Sequence, residues 1–174
     1  LLDSVFLWQS GNKYRVSAHD ADMKETEAIY GQTDSGMTII EGHLFLNGKK
    51  PIQHRSSYGL GEVIKAALDN HTEHLVISLG GIGSFDGGAG MLQALGATFY
   101  DDEAQIVDMR KGAYLIKYIR RIDLSGVHPQ LTKVNIQLMS DFSSRLYGKK
   151  SEIMQTYESL DLSQNEDRKS HTSD

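Results

Sequence analysis

The residues best placed to do chemistry form one glycine-dense run, Gly80-Gly81-Ile82-Gly83-Ser84-Phe85-Asp86-Gly87-Gly88. Seven of the chain's 17 glycines fall between Gly80 and Gly96. Glycine loses more conformational freedom on folding than any other residue, so such a cluster needs a physical reason. Positive φ, close approach of a ligand to the backbone, or tight packing of a strand against a helix would each supply one. The run leaves an apolar strand and enters a helix start. Free N–H groups and the helix dipole favour an anion at such a point, so a phosphate or carboxylate is the expected guest. Gly80, Gly81 and Gly83, with the Gly87–Gly88 helix start, are the expected cradle. The run lacks the Lys-Ser/Thr of a P-loop and the G-x-G-x-x-G spacing of a dinucleotide site, so neither mechanism is assumed.

Two side chains inside the run could act directly. Asp86 reads either as the N-cap of the following helix or as a carboxylate that holds a cation or orients a hydroxyl. Both can hold at once. Ser84 reads as a loop-stabilising hydroxyl or as a ligand contact. Asp141 follows a second apolar strand. Ligands in α/β sheets gather beyond the carboxyl ends of strands, where a carboxylate can bind Mg²⁺ or accept a substrate proton. The plainer reading of Asp141 is a turn or cap. Arg145, Lys149 and Lys150 follow closely and read as phosphate ligands or as a solvated basic cluster. The seven histidines are scattered, with no zinc-type spacing. No G-x-S-x-G elbow marks a serine nucleophile.

These residues need a scaffold, and the sequence patterning supplies one. Leu60, Val63, Ile64, Ala67 and Leu68 recur at helical spacing and form one apolar stripe. Ser56 or Ser57 is the expected cap. His74 to Leu79 reads as a short strand buried on both faces of a parallel sheet. Ala89 to Leu95 reads as a second helix that stops at Gly96. Helix, strand, glycine loop and helix in succession predict an α/β fold with a mixed sheet. Val5 to Leu7 and Tyr14 to Val16 are expected as two strands turning at residues 10–13. Two further strands are expected at 26–30 and 37–41. Residues 97–109 are expected as a hairpin and 111–121 as a helix or strand. Asp123 to Gly126 is expected as a turn, and Val134 to Met139 as another strand. Residues 1–150 are expected to form the folded domain. Residues 151–174 are expected to be a polar, disordered tail.

Composition narrows the function classes. The chain has 174 residues, a net charge of −5 and no cysteine. The absence of cysteine excludes a disulfide scaffold and a cysteine nucleophile from this chain, and fits a reducing compartment such as the cytoplasm. Mild acidity argues against nucleic-acid binding. No apolar run is long enough to cross a membrane as a helix. The first residue is not Met, and the chain is expected to start inside a longer protein.

Several motifs together resemble the bacterial type 1 glycerate kinase family. Ser56-Ser57-Tyr58-Gly59-Leu60-Gly61-Glu62-Val63-Ile64 is similar to that family's "TSYGVGELI" helix. Leu79 to Gly96 is similar to its signature "LGGSATNDGGAGMLQALG". Ile122-Asp123-Leu124-Ser125-Gly126 is similar to "IDLSGL". Ser140-Asp141 with Leu146-Tyr147-Gly148 is similar to "CDVxNPLxG". Order and spacing agree over roughly residues 15–150. The likeness covers a central piece of the family; the family's opening "PDSFKGS" and later "GEGRxDxQT" motifs have no counterpart here.

The resemblance implies the second, inserted domain of a two-domain kinase that phosphorylates D-glycerate with ATP and Mg²⁺. It implies catalytic roles for Asp86 and Asp141, with Asp86 as the first candidate for cation binding. Gly80, Gly81, Gly83, Ser84, Gly87, Gly88, Arg55 and Arg145 are the implied substrate or phosphate contacts. Family Ser-Ala-Thr-Asn is Ile82-Gly83-Ser84-Phe85 here, so one hydroxyl is kept and an asparagine is lost. The Lys of the family's "FGPQKGA" has no aligned match. Those departures keep a second reading open: a non-catalytic homologue or fragment that retains a binding cleft. The expected partners are D-glycerate and a nucleotide, with no nucleic acid and no membrane. Self-association through an uncovered apolar surface, giving a homo-oligomer, is a further expectation.

Overall fold

The computed structural model describes residues 1–46, 48–79 and 83–140, with backbone only at Leu44 and Leu46. The elements are α1 (Leu2–Phe6), β1 (Gly11–His19), β2 (Glu25–Thr33), β3 (Met37–Glu41), α2 (His43–Leu46) and α3 (Tyr58–Asp69). They continue as β4 (His74–Ser78), α4 (Ala89–Ala94), β5 (Thr98–Tyr100), β6 (Arg121–Asp123) and β7 (Asn135–Met139). The five-stranded sheet runs β1-β2-β3-β4-β7. Its first two pairings are antiparallel and its last two parallel. This is the mixed α/β sheet expected from the sequence.

Burial explains the order. The α3 stripe, Leu60, Val63, Ile64, Ala67 and Leu68, packs on Ile40, Leu75 and Ile77 of the sheet. Each fully buried aliphatic side chain contributes about 1.5–3 kcal/mol. The opposite sheet face carries Ile39 and Val76, covered by Leu2, Val5 and Phe6 of α1. β4 therefore lies between two apolar layers, as its continuous apolar run requires. A smaller core of Ala89, Ala97, Phe99, Val107 and Met109 sits under α4 and the β5–β6 ladder.

Three expectations change. Val5 to Leu7 is not a strand: Leu2, Val5 and Phe6 stand at i, i+3 and i+4, and as a short helix all three reach the sheet. The hairpin expected over 97–109 is reduced to one bridge, Tyr100 to Ile106, because β5 pairs instead with β6. Residues 111–121 hold a 3₁₀ segment, Ala113–Tyr118, leading into β6. The domain boundary expected at 150, and the tail after it, lie outside the described residues.

Candidate functional site

β3, β4 and β7 run parallel, so their carboxyl ends share one edge of the sheet. The chain leaves β4 there and, after the described residues resume at Gly83, enters α4 through Ser84-Phe85-Asp86-Gly87-Gly88. α3 starts beside this segment. Gly61 lets the two helices approach, since a Cβ on it would collide with the backbone of Met91.

Asp86 joins the two helix starts. It is 2% exposed. Its Oδ2 accepts from the Ser57 amide at 2.7 Å, the Ser57 hydroxyl at 2.8 Å and the Gly90 amide at 3.2 Å. Its Oδ1 accepts from the Gly88 amide at 3.0 Å. The Ser57 hydroxyl also accepts from the Met91 amide at 2.9 Å. The Ala89 amide donates to the Asp86 carbonyl at 3.0 Å.

This arrangement corrects two expectations. The amides of Gly88, Ala89, Gly90 and Met91 are all used internally, so the α4 start does not offer them to an external anion. The Asp86 carboxylate, with four donors on it and almost no exposure, is placed as the cap and joint of two helices, not as an open cation ligand. Among the described residues no group of three or more His, Cys, Asp or Glu side chains gathers to hold a metal ion. They therefore do not fit a Mg²⁺ site.

Gly87 sits at φ +59° and Gly88 at φ +79°, the left-handed backbone that favours glycine. Their positive φ explains the pair without a ligand.

Ser84 is different. It is 7% exposed, and its Oγ is a buried side-chain oxygen with no hydrogen-bond partner. Buried hydroxyls are nearly always paired, so an orphan at the mouth of a glycine loop marks a place where a ligand oxygen would complete the bonding.

Arg55 lies alongside. Its Nη1 donates to the Gly83 carbonyl at 3.2 Å and its Nε to the Lys50 carbonyl at 2.8 Å. The guanidinium thus ties the glycine loop to residues 48–50. That segment is anchored in turn by Asp22, a buried carboxylate that accepts from the Lys49 amide at 2.7 Å and the Lys50 amide at 3.0 Å. Burial pushes the Asp22 carboxyl up. The two amides and the charges of Arg55 and Lys50 outweigh it and hold the group below the ordinary carboxylate value.

The sequence reading did not single out Asp22, nor pair Ser57 with Asp86. An Asp-x-Asp turn at residues 20–22 was the available signal for the first. The second pair is 29 residues apart in sequence and has no local signal. Ser56 and Ser57 share the capping: the Ser56 hydroxyl accepts from the Tyr58 amide at 3.2 Å, and Ser57 turns to Asp86. Gly80, Gly81, Asp141 and Arg145 lie outside the described residues. No helix among the described residues is long and apolar enough to cross a membrane.

Comparison with known proteins agrees with this geometry. A family model described as "Glycerate kinase family" matches residues 2–157. A glycerate kinase of Halalkalibacterium halodurans is 34% identical over 131 residues, covering 71% of this chain and 34% of that protein. A glycerate kinase of Bacillus subtilis is 33% identical over 130 residues, with the same two coverages. The crystal structure of a Salmonella typhimurium LT2 protein assigned as glycerate kinase 2 superposes with a TM-score of 0.81 at 27% identity. The match covers 88% of this chain and 42% of that one. The chain spans about a third of the length of the curated relatives it matches.

Proposed function

The chain belongs to the glycerate kinase family, and from that premise we propose that it forms part of an ATP-dependent kinase acting on D-glycerate. The observation that carries this reading is the orphan hydroxyl of Ser84, buried within the family's glycine signature. A small hydroxy acid offers oxygens of the kind that hydroxyl lacks.

Each side chain then takes a role. Ser84 binds a substrate oxygen. Arg55, with Nε and Nη1 on backbone carbonyls, positions Gly83 and so the loop. Asp86 positions the loop from the other side by fixing α3 against α4. Gly80, Gly81, Asp141 and Arg145 complete the proposed set through the family resemblance. Phosphoryl transfer depends mainly on positioning and charge neutralisation, and a rigid loop serves the first of these. ATP as donor and Mg²⁺ as its counter-ion come with the family reading. The described residues show no carboxylate group that fits the cation, so none of them is assigned to hold it.

A coupled assay of ADP release with D-glycerate, ATP and Mg²⁺ tests the proposal on the full chain and on Ser84→Ala. Turnover that falls at least tenfold in the variant supports it. Absence of both turnover and calorimetric D-glycerate binding overturns it. Phe85, where the family has Asn, favours a second reading: a homologue that binds without catalysis. Binding without turnover, weakened by Ser84→Ala, is its signature.

A further inference from the structure

We propose that the open edge of β7 is a self-association surface, on which a second copy of this chain pairs antiparallel about a two-fold axis at Gln137. The inference is independent of the kinase reading.

The two edges of the sheet differ in kind. β1 carries Lys13, Arg15 and His19, and its cross-strand neighbours include the ion pair of Arg15 with Glu27. Charge of this sort blunts an edge against pairing. β7 reads Asn-Ile-Gln-Leu-Met, without charge, proline or glycine. All five residues are exposed, and Leu138 is 60% exposed. A parallel strand is ordinarily covered on both faces, so a bare one that ends a parallel ladder is a surface built for a neighbour.

The register fits a second copy. The Asn135 amide donates to the Glu73 carbonyl at 3.0 Å, and the Leu79 amide donates to the Met139 carbonyl at 2.8 Å. Odd-numbered residues therefore bond toward β4. By alternation, the amides and carbonyls of Ile136 and Leu138 face the open edge. A two-fold axis at Gln137 sets Ile136 opposite Leu138 of the second copy, and Leu138 opposite its Ile136. Each pair exchanges two hydrogen bonds. Ile136 and Leu138 are registered with Leu75 and Ile77, whose side chains pack under α3. Their side chains share that face, so the pairing also places apolar groups against each other. No like charges meet across the contact.

The contact is one strand wide, so the association is expected to be concentration-dependent. Sedimentation velocity on the full chain from about 5 to about 200 µM covers the range for such a small interface. The expected result is a rise in mass toward twice the 19.4 kDa of the chain. Leu138→Lys and Ile136→Lys should each weaken association by about tenfold or more, as loss of a central apolar contact does. Unchanged far-UV circular dichroism and melting will show that the variants fold. A monomer at every concentration overturns the proposal. That result would follow if residues 141–174, or further polypeptide, cover the strip instead. A dimer indifferent to both lysines also overturns it.

Discussion

Asp86 and Ser57 meet through two hydrogen bonds, carboxylate to amide at 2.7 Å and carboxylate to hydroxyl at 2.8 Å, across 29 residues of sequence. The contact binds the start of α3 to the start of α4 and holds the glycine loop between them. It gives the one acidic side chain of the family signature a structural duty.

Removing that carboxylate should act on stability first. Asp86→Ala leaves the amides of Ser57, Gly88 and Gly90 without their partner in a buried setting. The expected loss is about 2–4 kcal/mol, because each buried unsatisfied donor costs about 1–3 kcal/mol and some will find water. Urea unfolding measures it. A change below about 0.5 kcal/mol, typical of surface sites, would refute the joint.

Ser84→Ala should behave in the opposite sense. Its hydroxyl is buried without a partner, so deleting it is expected to leave the fold as stable or to stabilise it by up to about 1 kcal/mol. D-Glycerate binding should weaken in the same variant. Thermal unfolding with and without D-glycerate reads both effects. A large loss of stability in the ligand-free protein would mean that the hydroxyl serves the fold.

Glycine substitutions should rank by what surrounds them. A Cβ on Gly59 would collide with the backbone of His19, and one on Gly90 with Ser56 Oγ and Asp86. One on Gly87 meets nothing within 4 Å and carries only the strain of φ +59°. Gly87→Ala is expected to cost about 1 kcal/mol. Gly59→Ala and Gly90→Ala should cost more, about 2 kcal/mol or above, as overpacking does. Chemical denaturation of the three variants settles the order.

Asp22 should couple stability to acid. Its folded carboxyl lies below the ordinary value, so its contribution is fully present above the unfolded pKa, about 3.9. It is lost as pH falls from there through the folded value. Asp22→Asn should be less stable at neutral pH and should lose stability less steeply below about pH 4. Asp108, held low chiefly by its hydrogen bond to Arg110 against the opposing effect of burial, adds a slope of the same sign, which the variant retains. Parallel pH profiles of the two proteins would refute the role of Asp22.

The scaffold of this site was readable in advance where one residue period dominated. The stripe from Leu60 to Leu68 predicted α3, and the apolar run from His74 predicted β4. Gly96, at φ +107°, closes α4 where the sequence reading expected a stop. Residues 1–8 misled because an apolar cluster of that length suits a strand or a helix equally, and the sheet face beneath it decided. The positions of Ser84 and Asp86 were readable, but their difference was not. Two residues apart in one loop, one carboxylate has four partners and one hydroxyl has none. That contrast is set by Ser57, and only the folded chain brings Ser57 there.

The bond from Ser57 to Met91 sets the terms for exchanging parts between members of this family. The glycine loop is not a portable cassette. Residues 83–91 moved into another scaffold would arrive without the serine that receives the Met91 amide and faces Asp86. The smallest unit that can be transplanted whole runs from Ser56 through Met91, with β4 inside it. Recombination breakpoints between homologues should therefore be tolerated outside this stretch and selected against within it.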